Sequence, residues 1–161
     1  MAKMPEEGRF EYGKMDKQTG AQWVHVTPEM ARAHPQGRLN LALWLIVMVF
    51  ALIGFTFIYG FFVAGGVTSL IQGLLALFTA ITLAMRAPIA VMLAAAQIFL
   101  NILLQLLGGT LKDLSDMSPE YGILTLVILI FSGLSLFYLI EGERPNLIYR
   151  HRFRSYRGKQ D

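Results

Sequence analysis

The chain has no charged residue between Arg38 and Arg86, and four long apolar stretches follow one another with short joins. A helix needs about 20 apolar residues to cross a bilayer, because the hydrocarbon core is roughly 30 Å thick. The composition agrees, since 55% of the residues are hydrophobic, which is high for a soluble domain. The sequence therefore predicts an all-α integral membrane protein.

Glycine and proline divide the apolar stretches into separate helices. Gly65 and Gly66 allow a tight reversal of the chain, and Pro88 disfavours helical geometry in the residue before it. The predicted spans cover residues 41–64, 67–85, 89–107 and 123–140, with an outer loop over 108–122. The predicted fold is an up-down bundle of four transmembrane helices.

Lysine and arginine gather at the two ends of the chain. Six of the 14 lie in the N-terminal arm, residues 1–38, and six lie in the C-terminal tail, residues 142–161. Basic residues accumulate on the cytoplasmic side of membrane proteins, and four spans place both ends on one side. Both termini are thus predicted to be cytoplasmic. Acidic residues in the arm argue against an organellar transit peptide, so the predicted location is a bacterial inner membrane.

The third span carries three amides, Gln97, Asn101 and Gln105, which are spaced by four and share one helix face. An unsatisfied amide in lipid costs several kcal/mol, so this face is expected to meet protein or water. Hydrogen bonding between helices is the favoured interpretation, and the wall of a polar conduit is the alternative. Gln72 and Thr79 on the second span are placed to reach these amides.

The second span has small residues at helical spacing. Such a pattern lets another helix backbone approach closely. Packing within the chain is the favoured interpretation, and contact with a second protein is the alternative. The residues of this small-residue seam are Ser69, Gly73, Ala76, Ala80 and Ala84.

The tail combines aromatic and basic residues. A helix over 147–157 would place the aromatic side chains on one face and arginines on the next. Aromatic rings favour the headgroup level, and basic residues attract anionic lipids. The sequence predicts a surface for anionic headgroups or for an acidic partner protein, whereas nucleic acid is not an expected partner. Its predicted members are Tyr149, Arg150, Arg152, Phe153, Arg154, Tyr156 and Arg157.

The arm contains one recognisable helix start. Thr27 fits an N-cap position and Pro28 the first turn, and Pro35 is expected to end this helix after Ala33. The other residues of the arm are polar and show no helical or strand periodicity. They are expected to become ordered only against a membrane or a partner.

Catalytic chemistry has little support in the sequence. No Asp, Glu, Lys or His lies inside a predicted span, although such residues build proton relays and ion-coupling sites. The chain also lacks cysteine, and no catalytic motif is found. No catalytic residue, cofactor or metal is therefore predicted.

The favoured function is a non-catalytic accessory or scaffold subunit of a larger inner-membrane complex, which binds partners through small-residue helix faces and its terminal arms. The alternative is a small homo-oligomeric channel or passive transporter lined by the third span.

Overall fold

The computed structural model of the chain describes residues 8–15, 21–107 and 119–155. Most of this part is helical, and three short strands lie near the two ends. A 3-10 turn at Pro35–Gly37 connects the first two helices. In chain order the elements are β1 Glu11–Met15, β2 Gln22–His25, α1 Pro28–Ala33, α2 Leu41–Ala64, α3 Val67–Ala84, α4 Ala90–Leu107, α5 Pro119–Glu141, α6 Glu143–Arg150 and β3 Arg152–Ser155.

Helices α2 to α5 each cover one of the four predicted spans. Asn40 caps α2, because its side chain accepts a hydrogen bond from the Leu43 amide at 3.1 Å. The helix ends at Gly65, whose φ of 74° suits a residue without a side chain. Local capping signals therefore set the bounds that the sequence predicted.

Two helices in the described residues are long and apolar enough to cross a membrane, and the 3-10 turn extends the first of them to Pro35–Ala64. The second is α3. A third candidate appears if α5 and α6, which are bent by 62° at Gly142, are counted as one span, whereas α4 has a shorter apolar stretch. The chain is thus a mostly helical protein with two or three apolar helices that could span a membrane.

The two ends of the chain form a three-stranded antiparallel sheet with β2 in the middle. Trp23 of β2 lies opposite Arg154 of β3, and Val24 lies opposite Phe153. The described strands of the arm therefore pair within the chain, with each other and with β3, so for these strands the expectation of order only against a membrane or a partner is wrong. The all-helical prediction also missed this sheet.

The helix considered for residues 147–157 ends at Arg150, and residues 152–155 form a strand instead. His151 adopts a left-handed conformation with φ 49° and ψ 47°, which ends α6 and turns the chain into β3. The predicted helix start in the arm is confirmed, because α1 begins at Pro28 and the Thr27 hydroxyl accepts a hydrogen bond from the Met30 amide at 3.2 Å.

The sheet, α1, the 3-10 turn and α6 form one unit, called the sheet module below. A small apolar core holds it together, because side chains from β3, α1 and α6 meet on one face of the sheet. The buried members are Val26, Ala31 and Leu147, with Met30 and Phe153 packed against them.

The main core lies where the helices meet the sheet module. We call these ends of α2 to α5 the proximal halves and the opposite ends the distal halves. The buried core residues come from the proximal halves and from α6 and are Leu43, Ile46, Val47, Phe50, Ala80, Leu83, Ala90, Val91, Ala94, Ile98, Leu139, Ile148 and Tyr149. In the distal halves large side chains remain uncovered, as at Tyr59 and Phe62, which are 71% and 77% exposed.

Candidate interaction site

The small-residue seam of α3 faces the interior of the chain. A Cβ atom on Gly73 would lie 2.9 Å from the Gly54 carbonyl oxygen and 2.7 Å from Ile58 Cγ1, so the backbones of α2 and α3 touch here. Of the seam residues Gly73, Ala76 and Ala80 are buried, and Ser69 and Ala84 are half-buried. The seam thus packs largely within the chain, which leaves little of it for a second protein.

The predicted amide face of α4 also points into the protein. Gln97 is 6% exposed, and its Oε1 atom has no hydrogen-bond partner among the described residues. Asn101 lines a cavity of about 30 Å³ together with Ser132 and Ser135 of α5. A cavity of this size holds about one water molecule. Gln105 lies in the last turn of α4, and its side chain falls outside the described residues.

Within the part of the chain that the structure describes, no hydrogen bond joins Gln72 or Thr79 of α3 to the amides of α4. The Thr79 hydroxyl donates to the Leu75 carbonyl at 2.9 Å, within its own helix. Helical threonines commonly bond back in this way. Gln72 is half-buried and lies on the distal part of α3. The Thr79 hydroxyl is therefore hydrogen-bonded within α3, and Gln97 Oε1 of α4 has no hydrogen-bond partner among the described residues.

Two tyrosines tie the proximal helix ends together. The Tyr149 side chain of α6 is fully buried, and its hydroxyl donates to the Leu83 carbonyl at 2.9 Å. That carbonyl belongs to the last turn of α3, where it also accepts a hydrogen bond from the Arg86 amide at 3.1 Å. The Tyr138 hydroxyl of α5 accepts a hydrogen bond from Asn40 Nδ2 at 3.1 Å, which joins α5 to the start of α2.

Asn146 is the hub of the bend between α5 and α6. Its Nδ2 atom donates to the carbonyls of Ile140 and Gly142, each at 2.9 Å. Its Oδ1 atom accepts from Arg150 at 3.2 Å and from Arg152 at 3.0 Å. The two guanidinium groups thus lie near the C-terminal end of α5, where the helix dipole favours cations. Sequence reasoning missed Asn146, because nothing in its neighbours marks a buried asparagine.

Trp23 of β2 contacts two arginines of β3. The guanidinium carbons of Arg152 and Arg154 are 4.2 Å and 4.8 Å from the centre of the indole ring, which is cation–π geometry. Arg154 also forms an ion pair with Glu141, the last residue of α5. The arginines of the tail therefore join the sheet to the helix ends.

The residues predicted to form one lipid- or partner-binding surface are consequently distributed over different environments. Tyr149 is buried in the main core, and Phe153 packs against the apolar core of the sheet module. Arg150 and Arg152 donate to Asn146, and Arg152 and Arg154 lie over Trp23. The physical reason is that side chains of a strand alternate between two faces, whereas a helix would have aligned them. Tyr156 and Arg157 lie outside the described residues.

A pocket of about 470 Å³ opens in the sheet module, within the range of roughly 300–1,000 Å³ that is usual for small-ligand sites. Its floor is apolar and its rim is polar. The lining residues are Phe10, Val26, Met30, His34, Gln36, Glu143, Leu147, Phe153 and Arg154. They come from separate segments of the chain, so no motif in the sequence could indicate this pocket.

His151 is a buried titratable group at the junction of α6 and β3. Its main-chain oxygen accepts a hydrogen bond from the Val26 amide at 2.9 Å, and its ring Nδ1 has no partner among the described residues. Burial and the nearby charge of Arg32 lower the pKa of His151. The ring is therefore held neutral inside the sheet module.

Comparison of the chain with models of known protein families, with curated proteins and with solved structures finds no significant match. Within the described residues no three metal-ligating side chains lie close enough to hold an ion. The site's own geometry is therefore the basis for a proposed function.

Proposed function

We propose that this chain is a non-catalytic accessory or scaffold subunit of a larger membrane-protein complex, with α2 to α5 crossing a bacterial inner membrane and both termini in the cytoplasm. The observation that carries this proposal is the sheet module. Its strands come from both ends of the chain and pair with each other. This pairing supports an even number of crossings, since both ends must then lie on one side of the membrane.

The fastening of the sheet module to the helices supports a scaffolding role. Asn146, Tyr149 and Arg154 connect the module to the ends of α3 and α5 through hydrogen bonds and an ion pair. A module held at several points keeps a constant orientation relative to the membrane helices. Such rigidity suits a surface that positions a partner, because less conformational freedom is lost on binding.

The distal halves supply a second surface that suits this role. Large apolar side chains there are uncovered in the single chain, as at Phe55 and Ile71, which are 64% and 60% exposed. Such side chains can pack favourably against lipid or against the helices of another membrane protein. In the proposed complex the distal halves meet lipid or partner helices, and the sheet module meets the partner's cytoplasmic part.

The alternative is a homo-oligomeric channel or passive transporter, and the cavity that Asn101 shares with Ser132 and Ser135 is the observation that favours it. Gln97 argues against it, because its side chain is buried within the chain and would have to turn outward to line a passage between copies. The double substitution Gln97→Leu with Asn101→Leu separates the two functions. A scaffold loses stability or its partner, whereas a channel loses flux and stays assembled.

The decisive experiment is native mass spectrometry of the tagged protein after extraction in mild detergent. A scaffold subunit is expected to appear with a larger membrane protein at fixed stoichiometry. Loss of that partner with Tyr149→Phe, but not with the exposed Tyr59→Phe, would place the contact at the sheet end. A homo-oligomer without any other protein would contradict the scaffold proposal and favour the channel.

A further inference from the structure

The pocket in the sheet module lies beside the ends of the apolar helices. His34 and Gln36 on its rim shortly precede α2, which begins at Leu41. Glu143 on the same rim follows Glu141, the end of α5. Both segments are thus a few residues from the apolar helices. If those helices cross a membrane as proposed, the pocket opens at the level of the lipid headgroups.

The rim of the pocket carries charges of both signs above an apolar floor. The Glu143 carboxylate is exposed and forms no ion pair within the described residues. His34 Nδ1 accepts a hydrogen bond from the Gln36 amide at 3.2 Å, which leaves Nε2 as the N–H donor of the neutral ring. Arg154, whose guanidinium group also pairs with Glu141 and lies over Trp23, lines the same rim. The rim therefore offers an acceptor for a cation and donors for an anion.

We propose that this pocket binds the headgroup of an aminophospholipid. The lipid ammonium group contacts the Glu143 carboxylate, and the phosphate lies near His34 and Arg154. The glycerol and the first methylenes of the acyl chains cover the apolar floor at Met30 and Phe153, which are half-buried in the chain alone. This inference goes beyond the scaffold function, since it needs no partner protein, but it rests on the same placement in a membrane.

Charge complementarity selects this lipid class over the other common classes. A purely anionic headgroup has no cation for Glu143 and would place negative charge beside it. A choline headgroup is cationic, but its quaternary nitrogen has no N–H to donate to the carboxylate. A primary ammonium has three donors, and hydrogen bonds between two charged groups are the strong ones.

The test is native mass spectrometry of the full chain in detergent supplied with equal amounts of phosphatidylethanolamine, phosphatidylcholine and phosphatidylglycerol. The wild-type chain is expected to retain phosphatidylethanolamine preferentially. Glu143→Gln removes the charge but keeps the size, and it is expected to lower this preference by about tenfold, which is typical for loss of one charged contact. Met30→Trp fills the pocket and is expected to reduce retention without altering the charges of the rim.

The matched control is Glu29→Gln. Glu29 is an exposed acid in the first turn of α1, as Glu143 is in the first turn of α6, but it does not line the pocket. It is expected to retain the lipid like the wild type. Circular dichroism of each variant shows whether the fold is preserved.

Three outcomes would overturn the proposal. One is equal retention of the three lipids by the wild type, and another is an unchanged preference in Glu143→Gln with the fold preserved. The third is carbodiimide cross-linking of Glu143 to a lysine of a copurified protein, which would assign the pocket to a partner instead. Absence of a partner protein would contradict the scaffold function but leave the lipid result standing, so the two proposals fail separately.

Discussion

The proximal and distal halves of the same helices are both apolar in sequence and both expose large side chains, but the buried residues of the main core lie in the proximal halves. In the proximal halves side chains such as Leu43 and Leu83 are fully buried, and polar contacts from the sheet module close the helix ends. In the distal halves α2 and α3 touch at Gly54 and Gly73, while most large side chains remain exposed. Hydrophobicity thus makes these segments helices, but it does not decide where they pack.

We infer from this difference that the hydrogen bonds of buried polar groups decide at which end of the helices the core forms. Buried polar groups must be hydrogen-bonded, because an unpartnered one costs about 1–3 kcal/mol. Asn146 and Tyr149 meet this requirement at the proximal helix ends, where their side chains donate to main-chain carbonyls of the last helical turns. Apolar side chains in the distal halves have no such directional requirement and are equally stable against lipid. Substitutions in the two halves should therefore differ in effect.

The largest expected effect is that of Asn146→Leu. The substitution removes four side-chain hydrogen bonds, two donated to the Ile140 and Gly142 carbonyls and two accepted from Arg150 and Arg152. Although the main-chain amide at position 146 and Arg150 still donate to the two carbonyls, the free energy of unfolding should fall by about 3 kcal/mol. Thermal unfolding in detergent and limited proteolysis of the sheet module measure this loss. The control Thr56→Val removes a hydroxyl that bonds to the Leu52 carbonyl of its own exposed helix face and should change stability little. Equal effects of both variants would refute the special role of the proximal end.

A pair of glycine substitutions tests packing within and outside the contact of α2 and α3. Gly73→Ala places a Cβ atom 2.9 Å from the Gly54 carbonyl oxygen and should destabilise the chain by about 1–3 kcal/mol through overpacking. Gly60→Ala meets nothing within 4 Å and should be neutral or stabilise α2, since alanine favours helices by up to about 1 kcal/mol. Thermal unfolding gives both values. Destabilisation of the same size by Gly60→Ala would show that α2 is also closely packed at Gly60, outside its contact with α3.

Tyr149→Phe should have a smaller effect than the first two changes. It removes the hydrogen bond to the Leu83 carbonyl but keeps the buried ring, so the expected loss is about 1–2 kcal/mol. Tyr59→Phe removes a hydroxyl from a ring that is 71% exposed and serves as the matched control with no expected loss. The same unfolding measurement compares the two variants, and a loss confined to Tyr59→Phe would reverse the comparison.

The smallest expected effect is a dependence of stability on pH. Since burial and Arg32 lower the pKa of His151 in the folded chain, the unfolded chain takes up the proton first as the pH falls. The stability from the neutral ring is fully present above the unfolded pKa of about 6.5 and is lost as the pH drops toward the folded pKa. His151→Asn, which tolerates the left-handed conformation, should flatten this dependence in unfolding measured between pH 7.5 and pH 5. An unaltered pH profile in this variant would assign the effect to another group.

Much of the helical fold could be predicted because its signals are local. Helix α1 follows from Thr27 and Pro28, and the ends of α2 follow from the cap at Asn40 and the glycine at 65. The candidate site could be predicted only in part. Arginines of the tail form contacts at the helix ends, whereas Tyr149 is fully buried and Phe153 is half-buried against the apolar core of the sheet module.

The sheet was missed because its pairing depends on residues from opposite ends of the chain. Strand β3 reads Arg-Phe-Arg-Ser and β2 reads Gln-Trp-Val-His, and neither is long or apolar enough to signal a strand. Each becomes stable only when Trp23 stacks with the arginines opposite it and Val24 packs beside Phe153. Such cross-strand pairs form the stabilising unit of a sheet, and they exist only after folding.

Long apolar helices with capped ends and basic flanking segments follow from local sequence, because hydrophobicity, caps and turns act over a few neighbouring residues. Long-range contacts bring strands from near both ends of the chain into one sheet, place Asn146 at the bend between α5 and α6, and form a pocket with charges of both signs beside the helix ends. These features require atoms from distant segments to meet. These contacts contribute free energy only in the folded chain, so no single segment of the sequence carries a pattern that predicts them.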